Sequence, residues 1–211
     1  MAGTTLQQEG RPSPLRPWTV RKPMIAAING GCAGIGLVQA LLCDVRFAAR
    51  GAKLATAFTR RGLSGEYGIT WLLPRLIGVG AATELLLSGR TFEADEAAQL
   101  GLVHRVLAPD ELLPAAVAYA ADLATHCAPT SLALLRHQLH LDVDGTFEAA
   151  LSRSYRAMAA TVGDVDLAEG VASMVERRAP VFRSLPDDYD PGSVVGAELE
   201  IAALSPEDLL R

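Results

Sequence analysis

Cysteine is scarce in this chain: Cys32, Cys43 and Cys127 are the three among 211 residues. An odd count without metal-ligand spacing excludes a disulfide framework and a thiolate metal site, so the thiols are expected to be buried in a protein of a reducing compartment. No apolar run reaches the length of a membrane span, and residues 1–18 are polar and proline-containing, without the apolar stretch of a secretory signal. A soluble cytoplasmic protein without a membrane partner is expected. A basic block is missing too: lysine and arginine are scattered and the formal net charge is -5, which argues against nucleic acid as a partner. His104, His126, His137 and His140 share no ligand pattern; His137 and His140 stand three apart, but no acid or third ligand is spaced to complete a site, so no metal is expected.

What the chain does have is apolar character. Half of its residues are hydrophobic, enough for one domain with a real core and against disorder as the main state. Residues 1–20 read as a loose leader into a strand at 24–29. A helix at about 37–42 gives way to an apolar strand at 45–49. Ser64 reads as a cap before a helical run from Glu66, which Pro74 is expected to kink or end. Helices are predicted at 81–87 and 94–100, and a short strand at 102–107. Further helices are predicted at 111–125, 130–141, 146–161 and 166–177. Strands early and helices late predict an α/β layer followed by a helical region. From Pro186 the composition turns acidic with proline and glycine, and reads as a mobile tail with one short helix at 205–210.

The densest information lies in Lys22-Pro23-Met24-Ile25-Ala26-Ala27-Ile28-Asn29-Gly30-Gly31-Cys32-Ala33-Gly34-Ile35-Gly36-Leu37 and the segment to Cys43-Asp44. A β-branched run ends in Asn-Gly, passes through spaced glycines and enters an apolar helical segment, which reads as strand, tight turn, helix. Glycines let the main chain approach a ligand closely, and the free N–H groups of a first helical turn favour negative charge. Such a turn serves phosphates and oxyanions alike.

This run resembles the signature of the crotonase superfamily, the enoyl-CoA hydratase/isomerase proteins. Further matching blocks follow in the family's order: Ala52-Lys53-Leu54 leading to Gly62-Leu63, then Leu72-Leu73-Pro74-Arg75-Leu76-Ile77-Gly78. Next come Leu87-Ser88-Gly89-Arg90, Ala94-Asp95-Glu96-Ala97-Ala98, Gly101-Leu102-Val103 and, late in the chain, Glu169-Gly170-Val171-Ala172-Ser173. The resemblance spans about residues 17–186. It implies an α/β, crotonase-like (ClpP/crotonase) spiral core lacking its first strands, followed by a C-terminal helical region that assembles trimers. The implied plan is a leader at 1–20, a partial core at 21–125, an oligomerisation region at 126–185 and a tail at 186–211. The implied partners are an acyl-CoA thioester and further copies of the chain, as a homotrimer or a dimer of trimers. No cofactor is expected, coenzyme A being part of the substrate.

Enzymes of this family stabilise an enolate of the thioester with two backbone N–H donors, each typically worth roughly 3 kcal/mol. One donor maps by resemblance to Ile35. The other normally lies in an earlier segment that this chain does not show, so the chain is expected to be N-terminally shortened, through a misplaced start codon or as a truncated paralogue. The glycines of the turn have an alternative role, close packing of strand against helix. Resembling hydratases carry two glutamates that position and deprotonate water; here those positions are Val38 and Phe58, so a hydratase mechanism with two acids is not available. Both residues are expected to line the acyl pocket, with Gly31, Ala33, Gly34 and Gly65 also at the substrate.

One acid remains. Glu66 lies eight residues beyond Phe58, where some Δ3,Δ2-enoyl-CoA isomerases carry their single glutamate. As a catalytic base it would take the C2 proton and return it at C4, and an apolar pocket would raise its pKa toward the useful range. The alternative is an acid in the first turn of a helix, stabilised by the dipole. Asp44 and Arg46 read as a structural pair or cap, and Arg60 and Arg61 as a solvated pair or as residues facing coenzyme phosphates. The expected activity is double-bond isomerisation of an enoyl-CoA; hydration, and non-catalytic acyl-CoA binding or a truncated remnant, are the alternatives.

Overall fold

The computed structural model describes residues 20–196. They form two compact units, one built on Met24–Ala116 and the other on Arg21–Pro23 with the chain from Val117 onward. The leader through residue 19 and the expected helix at 205–210 lie outside the described residues.

The first unit holds two small sheets. β1 (Ile25–Ile28), β3 (Val45–Ala49) and β6 (Arg105–Leu107) form one, in the order β1-β3-β6 and all parallel. β2 (Cys32–Ala33), β4 (Lys53–Ala55) and β5 (Thr91–Glu93) form the other, with β2 parallel and β5 antiparallel to β4. Parallel pairing needs a crossover, and the segment from β1 to β3 supplies it through β2 and α1 (Ile35–Leu41). β3 is apolar apart from Arg46 because it is covered on both faces: Phe47, Ala48 and Ala49 are all buried. The Met24 N–H donates to Asp44 Oδ2 at 2.7 Å, and the Met24 carbonyl accepts from Asp44 and Val45, fixing where β1 begins.

Arg46 projects from β3 into the interior, 4% exposed. Its guanidinium donates to the carbonyls of Leu102 (2.8 Å), Leu41 (3.3 Å) and Cys43 (2.6 Å). Asp44 and Arg46 thus each tie down backbone, in keeping with the structural role expected of them. Burial pushes the arginine pKa down, and the nearby Cys43 and Asp44 charges push it back up.

After the second sheet's β4, α2 (Ile69–Ile77) and α3 (Val79–Ser88) are separated by Gly78, whose φ of 78° and ψ of 158° end the first of them. α4 (Ala94–Gln99) precedes β6, and α5 (Pro109–His126) begins in this unit. One expectation is corrected. α2 starts at Ile69 with Gly68 in the N-cap position, not at Ser64, because the left-handed φ of 76° at Gly68 sets the entry. Of the kink or end expected at Pro74, the end does not occur: the helix runs on to Ile77. The division between the two units falls at Ala116, inside α5.

The second unit is helical: the rest of α5, α6 (Pro129–Asp142), α7 (Phe147–Thr161), α8 (Val165–Glu176) and α9 (Pro191–Val195). Thr146 and Asp164 cap α7 and α8, accepting from the N–H groups of Ala149 and Asp166. The expected mobile tail is folded through residue 196. Val195 is 1% exposed among Leu134, Ala157, Tyr189 and Val194, Arg156 donates to its carbonyl at 2.6 Å, and Arg21 donates to the Tyr189 carbonyl at 2.5 Å. An apolar Val-Val pair after Pro191 supplies the anchor that acidic composition obscures.

At the end of α8, Arg178 grips Glu169 through both terminal nitrogens, at 2.5 and 2.9 Å, and the Val181 N–H adds a third bond at 2.7 Å. The Arg178 hydrogen bonds, then that of Val181, hold the Glu169 pKa down at about 2 against an ordinary 4.5. A depressed folded-state pKa contributes stability above the unfolded value and loses it as pH falls toward the folded one. Urea midpoints are therefore expected to drop between pH 4.5 and about 2, and Glu169→Gln is expected to flatten that part of the profile.

Candidate active site

The site grows from the glycine turn. β1 ends at Ile28, the chain crosses Asn29-Gly30-Gly31 into β2, and Gly34 starts α1 with φ 53° and ψ -125°. That conformation belongs to glycine, since an L side chain meets its own backbone there. The Gly34 N–H donates to the Ala55 carbonyl at 3.2 Å, stitching the turn to β4, and the Gly34 carbonyl accepts from Val38. Ile35 is the first helical residue, so its N–H precedes any intrahelical acceptor. A Cβ at Gly34 would meet nothing within 4 Å, so the requirement is one of backbone strain and not of space.

Gly34→Ala is therefore expected to cost about 1–3 kcal/mol. Gly36→Ala, in the same helix with an ordinary φ and open space, is expected to be neutral or to gain up to about 1 kcal/mol. Chemical denaturation of the pair checks this contrast.

Beyond β4 the chain lines a cleft opposite the turn. Thr56 is fully buried and donates to the Leu85 carbonyl at 2.7 Å. Ala57 holds a left-handed φ of 62°, and Phe58 is 4% exposed. A 3-10 turn, Thr59–Arg61, closes on Gly62, and a loop through Leu63, Glu66 and Tyr67 leads into α2. Tyr67 also has a positive φ, 51°, so two strained non-glycine residues border this cleft, a pattern associated with functional sites.

The cleft has a volume of about 340 Å³ and is lined by Ala33, Gly34 and Ile35 from the turn, Thr56, Ala57, Phe58 and Arg61 from the segment after β4, and Leu63, Glu66 and Tyr67 from the loop. Five residues picked from sequence, Ala33, Gly34, Ile35, Phe58 and Glu66, thus meet at one place. Gly31, Val38 and Gly65 are not among the lining residues. Val38 is fully buried with Leu37, Ala40 and Leu41 on the inner stripe of α1, so helical period makes it core and not pocket wall. Gly65 packs beneath the start of α2, where a Cβ would come within 2.7 Å of the Thr70 methyl.

Glu66 lies ahead of α2, not in its first turn, and its carbonyl accepts from the Ile69 N–H at 3.1 Å. Its side chain is half-buried, and among the described residues the carboxylate has no hydrogen-bond or ion-pair partner. The helix-dipole role is thereby removed, leaving an uncommitted acid in the same cleft as the Ile35 turn.

Other polar groups fall elsewhere. The three cysteines are free and half-buried, not buried; burial pushes the Cys32 thiol up. His104 accepts from the Arg46 N–H through Nδ1 at 3.1 Å, and burial, then the Arg46 charge, lower its pKa. Among the described residues no three His, Cys, Asp or Glu side chains gather as for a metal, and no helix is long and apolar enough to cross a membrane. The residues sequence reading missed are Thr56, Ala57, Leu63 and Tyr67: their contribution depends on backbone turns without a sequence signal, apart from the Ser64-Gly65 and Gly68 breakers around the loop.

Residues 4–185 match the family model described as enoyl-CoA hydratase/isomerase. A probable enoyl-CoA hydratase of Mycobacterium leprae is 35% identical over 163 residues, covering 77% of this chain and 63% of that protein. The 1,2-epoxyphenylacetyl-CoA isomerase of Escherichia coli is 36% identical over 164 residues, covering 76% and 61%. Among solved structures, a probable enoyl-CoA hydratase/isomerase of Mycobacterium abscessus superposes with a TM-score of 0.77 at 34% identity, covering 80% of this chain and 68% of that one. The chain thus spans somewhat over three-fifths of the length of these curated relatives.

Proposed function

Because this chain belongs to the enoyl-CoA hydratase/isomerase family and has its crotonase fold, we propose that it moves the double bond of a 3-enoyl-CoA into conjugation with the thioester. The observation that carries this reading is the partnerless Glu66 carboxylate in the same cleft as the Ile35 turn, where Phe58 offers no second acid. Glu66 takes a proton from C2, the electron pair delocalises over the thioester carbonyl and C3=C4, and the Ile35 N–H meets the growing negative charge on oxygen. The protonated Glu66 then returns the proton at C4, leaving a 2-enoyl-CoA. No atom is gained or lost, and no water or metal is consumed. The apolar lining supplied by Phe58, Ala57 and Leu63 disfavours a water positioned for addition.

An isomerase among the relatives is compatible with this choice, and the apolar residues at both hydratase positions support it over hydration. The same two replacements also favour a second reading, acyl-CoA binding without turnover. Exposed apolar side chains on the second unit, such as Leu139, Phe147, Met174 and Val175, support our proposal that the chain works as a homotrimer or a dimer of trimers. Three free thiols support a cytoplasmic setting.

The test is to incubate the chain with a 3-enoyl-CoA and identify the product by mass and by the absorbance of the conjugated thioester. A conjugated product of unchanged mass is expected. A product heavier by one water overturns the isomerase reading, and tight binding with no product favours the binding reading.

A further inference from the structure

Two arginines of consecutive number part company at the cleft. Arg60 is spent on the far side, its Nε donating to the Ser88 carbonyl at 2.9 Å. Arg61 lines the cleft together with Glu66, and among the described residues its guanidinium makes one hydrogen bond, a long one of 3.4 Å to the Ala57 carbonyl. No carboxylate pairs with it among the described residues, whereas Arg90, Arg153, Arg178 and Arg183 all meet acids.

The turn that carries Arg61 is firmly seated. Its N–H donates to the Phe58 carbonyl at 2.9 Å, Thr59 Oγ1 donates to the Leu86 carbonyl at 3.4 Å, and Gly62 closes the turn with a left-handed φ of 71°. Against it, Gly89 packs so closely that a Cβ there would lie 2.6 Å from Thr59 Oγ1 and 3.2 Å from Arg60 Cγ. A planar, solvent-exposed cation with most of its five donors uncommitted to protein is thus held at the wall of the cleft that also holds Glu66.

We propose that Arg61 recognises an anionic oxygen group on the substrate, and that this group is a carboxylate borne by the acyl portion. The inference rests on the preceding reading that the acyl thioester occupies this cleft. Arg61 and Glu66 line one open cleft of about 340 Å³, whereas the coenzyme's diphosphate stands a full pantetheine arm away from the thioester carbonyl. With the reacting carbon at Glu66, the anion that reaches Arg61 belongs to the acyl side. A fork of paired N–H donors matches a carboxylate and offsets its repulsion by Glu66.

Calorimetric titration with saturated thioesters tests this without any turnover, so its outcome is separable from that of the isomerase assay. The probes are hexanoyl-CoA, its six-carbon dicarboxylic counterpart adipoyl-CoA, and free coenzyme A, each with the wild-type chain, Arg61→Lys and Arg61→Met. Adipoyl-CoA is expected to bind the wild type at least about tenfold more tightly than hexanoyl-CoA, with the preference reduced in Arg61→Lys and lost in Arg61→Met while hexanoyl-CoA affinity holds. Equal or weaker binding of adipoyl-CoA by the wild type overturns the proposal. Equal weakening of all three probes in Arg61→Met also overturns it, assigning the arginine to a coenzyme phosphate. Unfolding midpoints within a few degrees of wild type keep the comparison valid, and Arg61→Lys serves where Arg61→Met does not fold.

Discussion

Glu66→Gln is expected to lower isomerisation of a 3-enoyl-CoA by about 10²–10⁴-fold, the usual worth of a positioned general base, with acyl-CoA affinity nearly unchanged. Glutamine keeps the size and reach of the side chain but cannot accept the C2 proton. Folding is expected to be spared, within about 0.5 kcal/mol, because the carboxylate has no described partner to lose and sits in a loop ahead of α2. The combination distinguishes this residue from a structural acid such as Glu169, whose carboxylate carries three hydrogen bonds. Steady-state rates read beside an equilibrium titration with a saturated acyl-CoA check both halves. A fall in affinity equal to the fall in rate would assign Glu66 to binding.

Arg46→Met is expected to destabilise the chain by about 3–5 kcal/mol, from leaving three buried carbonyl acceptors without their donor at roughly 1–3 kcal/mol each before relaxation. Methionine fills similar space, so the loss reports hydrogen bonds more than cavity. Three carbonyls depend on this guanidinium: Leu41 and Cys43 where α1 ends, and Leu102 ahead of β6. At 4% exposure for the arginine, water does not readily replace it. Since α1 begins at the Ile35 turn, loosening its far end is also expected to weaken substrate binding in the surviving folded fraction. Arg46→Lys retains the charge but cannot span three acceptors, and is expected to lie between the two. Urea unfolding of all three chains measures the series; a loss under about 1 kcal/mol for methionine would show that the carbonyls find other donors.

β1, α1 and β3 were legible because their apolar runs and glycine breakers agree with the elements they form. The long helices of the second unit were legible because caps such as Thr146 stand where hydrophobic period begins. β2, β4 and β5 were not: they are two or three residues long, too short for alternation to register, and owe their pairing to tertiary contact. Ser64 misled as a cap superseded by Gly68, and Pro74, expected to kink or end its helix, does not end it. At the site, the glycine turn and Glu66 could be found from residue type and order. Val38 could not be separated from Phe58, since both are apolar; helical facing puts Val38 on the inner stripe of α1, whereas Phe58 lies at the cleft. The left-handed Ala57 and Tyr67 have no sequence signature at all, because nothing in an alanine or a tyrosine announces a positive φ.

The most direct test of the central claim, one carboxylate moving one proton, is a proton NMR time course of a 3-enoyl-CoA with the wild-type chain and with Glu66→Gln. The account predicts that the C2 methylene signal is replaced by the vinylic signals of the 2-enoyl-CoA with the wild type only, and that no 3-hydroxyacyl signal accumulates. A substrate left unchanged by the folded wild type, a rate indifferent to the substitution, or a hydroxyacyl product would contradict it.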